Sequence, residues 1–449
     1  MPHNPTSVSA ARLRCDDGTD TGGARANTQH LRRPSHKRVK ARYEREQPIT
    51  MKSRPPAIVS VGRTSFGEHY EREPEGLVEE AGLTALGSAG IERKDLDACY
   101  FSDYFLPITN KIGLEEGFLS ELLELYVPME ITRSFSSALS NACNAVQAGK
   151  YHCVLVGGLE KMTDRWDKIR DDLMLLEDPW SYYAGSTPEA NHELMLRAYI
   201  KKHKITGKQL ETLEAALAEI SVRNHHNAVL NQYAQFRREI SVDTVLKARL
   251  KERKPLGLFD FAPISDGASA VILTDSDAAE SYTDKPIHIL GYSQATDYIT
   301  FPSRMDLTGF LATRLAIKDT LKRTKIRLDD IPLVQLYDQS TIMGLVSLED
   351  LGFCEQGKAW MDIHRSFECD ESYYELDGRK LYVNMNGGLK ADGNPLGATG
   401  GAEVIEIFHQ LRREASERQV KPDGELRYGC VHELEGFGTK AYTYVLGRT

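Results

Sequence analysis

The 449-residue chain has no run of 18 apolar residues and no leader in which a basic stretch precedes an apolar one. The sequence therefore predicts neither a membrane span nor a secretory signal, and the expected compartment is the cytoplasm. The seven cysteines include no CxxC pair, and their number is odd. That usage is typical of reduced thiols and predicts neither a disulfide framework nor a metal site.

Nucleotide-binding motifs are also missing. Neither G-x-G-x-x-G nor G-x-x-x-x-G-K-[ST] occurs in the right context, which argues against a dinucleotide or phosphate-loop enzyme. Positive charge is scarce beyond residue 50, where 46 lysines and arginines face 60 acidic residues, a formal charge of −14. Nucleic acid is therefore not an expected partner of this acidic body.

Residues 1–54 differ in kind from the rest of the chain. The first 50 hold ten Lys/Arg and five Asp/Glu, with few large aliphatic side chains and almost no apolar periodicity. Such a segment cannot offset its ordering entropy, so a disordered basic extension is predicted. The acids Asp16, Asp17 and Asp20 count against an organellar transit peptide, whereas a basic arm for an anionic partner is an alternative. The preferred interpretation is that translation begins at Met51.

Short β-branched runs alternate with longer helical patterns from Pro55 onward, which favours an α/β fold. Six near-continuous apolar runs predict strands buried on both faces: 57–62, 153–158, 270–274, 287–291, 333–337 and 442–447. The glycine-rich stretch GLKADGNPLGATGG (388–401) precedes an amphipathic helix that is expected to begin near Gly401. Asp377 and Gly378 lie inside an alternating segment and predict a hairpin.

A constant offset of 235 residues relates two stretches of the chain, each of which reads as helix, polar turn and strand. The matching pairs are Ala81 and Ala316, Leu86 and Leu321, Ile91 and Ile326, Asp95 and Asp330, and Asp103 and Asp338. A second repeated pattern relates residues 267–273, near the end of the first half, to residues 438–444, near the end of the second. The repetition predicts two duplicated α/β halves.

Six segments together resemble the thiolase superfamily, most closely the acetoacetyl-CoA and sterol-carrier-protein type thiolases. They are VLVGGLEKMTD (154–164), NQYAQFRREI (231–240), FAPISDGASAVIL (261–273), YDQSTIMGLVSLEDLGF (337–353), NGGLKADGNPLGATGGAE (386–403) and HELEGFGTKA (432–441). The resemblance implies two βαβαβ-type halves, 55–284 and 285–449, in a five-layer arrangement. It also implies that an inserted segment at about 165–250 covers coenzyme A.

Thiolases join or split acyl-CoA thioesters through a cysteine thiolate and a histidine base. The family's nucleophile lies thirty residues before the methionine of its Glu-Lys-Met motif, here Met162, and that position holds Thr132. The family's Gly-His-Pro loop reads Gly-Asn-Pro here, so Asn394 replaces the histidine. Cys143 is expected to be a core thiol rather than a displaced nucleophile.

The remaining family positions complete the candidate site. By resemblance, the other catalytic candidates are Tyr337, Gln339, His432 and Glu433, and the coenzyme A contacts are Arg237, Arg238, Gly387, Gly388 and Gly397. For Tyr337, a structural role as a strand-end aromatic competes with a catalytic one. His225 and His226 are interpreted as a surface pair rather than metal ligands.

Three functional hypotheses remain. The first is an acyl-CoA-associated protein of the acetyl-CoA C-acetyltransferase lineage that forms no acyl-enzyme and acts as a non-catalytic or altered-chemistry subunit of an acyl-transfer complex. The second is aldolase-type cleavage of a β-hydroxyacyl-CoA through Tyr337, and the third is an active acetyl-CoA C-acyltransferase. The resemblance implies a coenzyme A thioester ligand without a covalent cofactor, a homodimer and, in some relatives, a small OB-fold partner protein.

Overall fold

The computed structural model describes residues 55–165, 167–368 and 372–448, so the basic extension predicted for 1–54 lies outside the described residues. Within this part of the chain, eleven strands form one sheet. They are β1 (Ala57–Arg63), β2 (Ala98–Ser102), β3 (Met129–Thr132), β4 (Cys153–Lys161), β5 (Asp266–Thr274), β6 (Ile287–Thr296), β7 (Leu333–Leu336), β8 (Tyr374–Leu376), β9 (Arg379–Val383), β10 (Tyr428–Glu435) and β11 (Lys440–Gly447).

Fifteen α-helices accompany these strands in the described ranges. They are α1 (Pro74–Ser88), α2 (Leu106–Thr109), α3 (Glu115–Leu123), α4 (Phe135–Gln147), α5 (Ile169–Leu173), α6 (Pro179–Tyr183), α7 (Ala190–His203), α8 (Lys208–Val229), α9 (Val242–Glu252), α10 (Ser276–Tyr282), α11 (Leu311–Thr324), α12 (Thr341–Leu351), α13 (Ala359–Glu368), α14 (Gly388–Ala391) and α15 (Leu396–Arg412). All six predicted strands are confirmed, as is the hairpin at Asp377 and Gly378, which joins β8 to β9.

The strand order shows the duplication directly. It runs β3-β2-β4-β5-β1 in the first half and continues as β6-β11-β10-β7-β9-β8. We number the strands of each half in chain order and leave β8 out. Read from the outer end of the sheet towards its middle, both halves then have the order 3-2-4-5-1. The 235-residue offset reappears in the 3₁₀ turns Arg93–Asp95 and Leu328–Asp330, which precede β2 and β7.

The two half-sheets meet where β1 pairs antiparallel with β6. Helices α4 and α15 pack against each other between the half-sheets, α1 covers the outer face of the first and α11 the outer face of the second. This gives the predicted five layers. The central layer is sealed by apolar side chains from both helices, including Phe135, Leu139, Val404 and Ile407.

Helix α15 begins at Leu396, five residues before the expected start near Gly401. The glycines at 397, 400 and 401 therefore belong to the helix, and Pro395 occupies its N-cap position. The low helix propensity of glycine favours a loop at these positions. Close packing against other chain segments outweighs that preference here.

None of the described helices is long and apolar enough to cross a membrane. The five cysteines in the described ranges are buried and unpaired, and Cys143 lies fully inside the core as predicted. Cys15 and Cys369 lie outside those ranges.

Candidate functional site

Asn394 lies in the turn that leads from α14 into α15, and only 4% of its surface is exposed. Its backbone N–H donates to Ser265 Oγ (2.9 Å), and its Oδ1 accepts from the Thr399 hydroxyl (2.8 Å). The side chain at the predicted base position is therefore a fixed hydrogen-bonding amide. An amide has no titration near neutral pH, so this residue cannot take a proton.

Tyr337 follows strand β7 and extends its hydroxyl to within 3.5 Å of Asn394 Oδ1. Its backbone N–H donates to the carbonyl of His432 in β10 (3.0 Å), which fixes the end of the strand. The side chain is buried. Burial, followed by the negative charge of Glu433, raises the pKa of the Tyr337 phenol above its usual value, so the phenol is a proton donor at neutral pH.

Glu433 projects from β10 toward the N-terminus of helix α4, where its Oε2 accepts the backbone N–H of Ser136 (2.8 Å). Its carboxyl fills the space beside Gly400, since a Cβ on that glycine would lie 2.1 Å from Glu433 Oε2. Burial raises the pKa of Glu433 to about 7. A carboxyl that exchanges its proton near neutral pH is suited to acid–base work.

His432 lies on the opposite face of β10 from Glu433, because neighbouring residues of a strand point in opposite directions. Its Nε2 contacts the Thr313 hydroxyl in α11 (2.9 Å), and burial lowers the pKa of the imidazole to about 3. The structure thus brings together the side chains of Tyr337, Asn394 and Glu433 but places the His432 imidazole on the other face of the strand. Gln339 uses its backbone carbonyl to accept from Ala262 N–H (2.9 Å).

Thr132, the residue predicted for the nucleophile position, ends strand β3. Its hydroxyl donates to the carbonyl of Ser134 (3.1 Å), with a longer contact to the carbonyl of Phe101 (3.5 Å). Both partners are acceptors that cannot remove the hydroxyl proton. The side chain also lines an open cavity of about 370 Å³.

The glycines expected to contact coenzyme A are all buried. Gly387 and Gly388 have positive φ values of 113° and 57° and pack against α8 and Asp338. At Gly397 a Cβ would lie 2.6–2.8 Å from backbone atoms of three residues in the first half, so this glycine permits a close approach between halves. Arg237 and Arg238 are exposed beside the same loop, where residues 235 and 236 donate to the carbonyls of 392 and 391.

Three asparagines that sequence reasoning missed hold helix α8 against this glycine loop. Asn224 donates to the Asp338 carboxylate, Asn227 to the carbonyls of 383 and 384, and Asn231 to the carbonyl of 386 and to Asp392 Oδ1. Asn224 and Asn227 are three residues apart in α8, and Asn231 follows two residues after the helix ends at Val229. The spacing of three and four residues between these asparagines was the sequence feature from which they could have been found.

Tyr104 and Glu160 were also missed. The two carboxyl oxygens of Glu160 accept the backbone N–H groups of Tyr104 (3.1 Å), Phe105 (3.0 Å) and Gly397 (3.1 Å). Glu160 therefore ties the loop after β2 to the start of α15. The acidic position within the Glu-Lys-Met motif was the available signal for it.

The interpretation of His225 and His226 as a surface pair is wrong for one of them. His226 is exposed and contacts Glu239, but His225 is 1% exposed, and its Nδ1 contacts the carbonyl of Arg238 (3.1 Å). Neighbouring residues of a helix point in different directions, so His226 faces outward while His225 packs against Phe236. Burial lowers the pKa of His225 to about 4.

The duplicated five-layer architecture defines a thiolase-fold protein. The family model "Thiolase, N-terminal domain" matches residues 56–252, and "Thiolase C-terminal domain-like" matches 293–448. The acetyl-CoA acetyltransferase of Methanothermobacter thermautotrophicus is 35% identical over 401 residues, covering 87% of this chain and 99% of the relative. Sterol carrier protein 2 of Gallus gallus is 29% identical over 423 residues, covering 90% and 74%. The chain belongs to the thiolase family.

Two solved structures share the fold. The Ltp2-ChsH2(DUF35) aldolase matches with a TM-score of 0.71 and 21% identity, covering 88% of this chain and 98% of that one. Human mitochondrial 3-ketoacyl-CoA thiolase matches with a TM-score of 0.62 and 19% identity, covering 88% and 99%. At these identities the likeness concerns the fold.

Proposed function

We propose that this chain binds an acyl-CoA thioester but forms no acyl-enzyme, and that it acts as a non-catalytic or altered-chemistry subunit of an acyl-transfer complex. The supporting observation is the pair of side chains at the nucleophile and base positions. Thr132 donates to a backbone carbonyl, and Asn394 is an amide held by Thr399. A hydroxyl becomes a useful nucleophile only beside a base, and neither contact supplies one.

The ligand is proposed to be a coenzyme A thioester held without a covalent cofactor. Arg237 and Arg238 are exposed beside the glycine loop and are the proposed contacts for its phosphates, since guanidinium groups pair well with phosphate. A cytoplasmic location is proposed as well.

Intact mass spectrometry after incubation with acetyl-CoA tests the proposal. We expect coenzyme A binding by calorimetry but no acetyl adduct on the native chain and no thiolysis of acetoacetyl-CoA. The double variant Thr132→Cys, Asn394→His restores a thiol and a base, so an acetyl adduct is expected there, and Thr132→Cys alone is the matched control. Thiolysis by the native chain that disappears in Thr132→Ala would refute the proposal.

Aldolase-type cleavage of a β-hydroxyacyl-CoA is a second candidate, favoured by the burial of Tyr337 and Glu433 in one site. In this step the Glu433 carboxylate takes the β-hydroxyl proton, the Cα–Cβ bond breaks, and its electron pair passes to the thioester enolate. The enolate oxygen accepts a hydrogen bond from the Tyr337 phenol, and the α-carbon then takes the proton from Glu433. The raised pKa of Tyr337 supports its part as donor and leaves Glu433 as base.

Tyr337→Phe removes the donor while keeping the ring. If the aldolase reaction occurs, cleavage of 3-hydroxyacyl-CoA should fall about 10²–10⁴-fold with coenzyme A binding unchanged. Tyr183→Phe is the matched control, because Tyr183 is 80% exposed. Absence of cleavage by the native chain, or equal cleavage by both variants, would remove this candidate.

The partner is proposed to be a small OB-fold protein, together with a second copy of the chain. The structurally similar Ltp2-ChsH2(DUF35) aldolase carries a second, DUF35 component in its name, which supports assembly with a small protein. Strand β3 lies at the outer end of the sheet, which supports pairing with a second copy.

A further inference from the structure

The cavity beside Thr132 lies where both halves of the chain contribute side chains. The first half supplies the loop after β2, the end of β3 and the start of α4, whereas the second half supplies the hairpin between β10 and β11. Its volume is about 370 Å³. That space corresponds to roughly a dozen water-sized groups at ~30 Å³ each, enough for a short acyl chain.

The walls of this cavity are mostly polar. Of its ten lining residues, only Pro107 and Ile131 are aliphatic. Five carry charge, namely Asp103, Glu115, Arg133, Glu435 and Lys440. Thr132 and Ser137 add hydroxyl-bearing side chains.

Glu435 is the best-anchored acceptor in the wall. Its Oε1 accepts from the hydroxyls of Ser134 and Tyr442, each at 2.7 Å. Lys440 Nζ is 3.7 Å from Oε1, and Arg133 Nε is 3.8 Å from Oε2. Both cations are therefore close to this carboxylate but beyond hydrogen-bond distance. Oε2 therefore retains capacity to accept a ligand hydroxyl.

Asp103, which also lines the cavity, gives the wall both donor and acceptor character. One of its oxygens accepts the Leu106 N–H (3.2 Å), and burial followed by the charge of Glu115 raises the pKa of Asp103 to about 7. At neutral pH this carboxyl is present in both protonation states. A ligand hydroxyl can accordingly donate to it or accept from it.

Tyr104 links the cavity to the site around Tyr337. It lines the cavity, and its loop is fixed to the start of α15 through Glu160. Burial comes first among the causes that raise the pKa of the Tyr104 phenol, followed by the charges of Glu435, Tyr337 and Glu433. The Tyr104 side chain therefore lies in the cavity wall, and its backbone is held to the first turn of α15.

We propose that this cavity receives the acyl part of short, hydroxyl-bearing acyl-CoA thioesters and that Tyr104 contacts that acyl group. The proposal rests on the coenzyme A binding proposed above and adds the substrate class. A long aliphatic chain would strip water from the charged wall without replacing its hydrogen bonds, which is costly for each group left unpaired. A hydroxylated chain replaces them.

Calorimetry on the full chain with four probes tests the proposal: coenzyme A, butyryl-CoA, 3-hydroxybutyryl-CoA and 3-hydroxyhexadecanoyl-CoA. We expect 3-hydroxybutyryl-CoA to bind at least tenfold more tightly than butyryl-CoA or the long-chain thioester. Tyr104→Phe and Glu435→Gln should each reduce that preference to less than threefold while leaving the affinity for coenzyme A unchanged. Tyr126→Phe, at a side chain that is 93% exposed, is the matched control.

The outcomes distinguish failure of the acyl-pocket proposal from failure of the proposed function. If coenzyme A and its thioesters bind equally, or the long chain binds best, the acyl-pocket proposal is overturned and the proposed function stands. If no coenzyme A compound binds the native chain, both are overturned. The probe series uses native protein, so it decides the matter even if a variant fails to fold.

Discussion

Glu403 lies in helix α15 with 1% of its surface exposed, and neither carboxyl oxygen has a hydrogen-bond partner in the described part of the chain. Burial, and then the charges of Glu433, Asp338 and Asp392, raise the pKa of this carboxyl well above its ordinary value. The folded protein therefore holds Glu403 in the neutral form. This environment makes the stability of the fold depend on pH.

The sign of that dependence follows from proton binding. Between the unfolded pKa of about 4.3 and the higher folded pKa, the native state keeps a proton that the unfolded state has released. The free energy of unfolding therefore falls by about 1.4 kcal/mol per pH unit as pH rises. Glu403→Gln removes this contribution, so the slope from about pH 5 to 7 should become shallower by that amount.

Urea unfolding at several pH values measures the slope. Glu79→Gln is the matched control, because Glu79 is exposed on α1, and it should leave the slope unchanged. An identical slope in the native chain and Glu403→Gln would show that the carboxyl is not held neutral.

The residue scale also separates what the sequence could and could not predict. Flanking residues fix the register of the motifs around Thr132 and Asn394, and their assignment to the nucleophile and base positions stays a prediction. His432 and Glu433 are adjacent in a strand, and a shift of one residue in the alignment would exchange the faces that they occupy. Tyr104 and Glu435 meet only after distant segments converge, so no local pattern signals their cavity.

At the scale of elements, Asn227 in helix α8 and Asn231 just after it donate to the segment 383–392 that contains the glycine loop, and Asn224 donates to Asp338. Asn227→Ala removes the buried side-chain donor to the carbonyls of 383 and 384, of which the carbonyl of 384 still accepts the N–H of Gly387. We expect a loss of about 2 kcal/mol in the free energy of unfolding. Denaturant unfolding measures it.

The neighbouring substitution His226→Ala is the control, since His226 lies on the same helix but is exposed. It should cost less than about 0.5 kcal/mol. Equal losses would mean that the helix, rather than the hydrogen bonds to the loop, sets the stability.

Other elements were predictable because their signals are local or repeated. Buried strands appear as β-branched runs, and the 235-residue offset relates α1 and β2 to α11 and β7. The start of α15 was not predictable in this way, since glycine propensity favours a loop at 397–401 while contacts with Glu433 and the first half favour a helix. Tertiary packing decided that boundary.

At the scale of the whole molecule, the proposed second copy has a natural place beside β3. This strand pairs on one side with β2, and no described strand pairs on its other side. The N–H groups of Cys99 and Asp103 bond to the carbonyls of Pro128 and Thr132. In a parallel ladder that alternation leaves the N–H of Met129 directed to the free edge.

Met129→Pro removes that N–H without touching the ladder to β2. If two copies pair through β3, an isologous antiparallel contact, sedimentation should show a dimer for the native chain and a monomer for Met129→Pro. Met129→Ala keeps the N–H and should remain dimeric. A native monomer, or a dimer unaffected by the proline, would place the contact elsewhere or exclude it. Thr132 both ends this strand and lines the cavity, so loss of the dimer should also weaken 3-hydroxybutyryl-CoA binding severalfold.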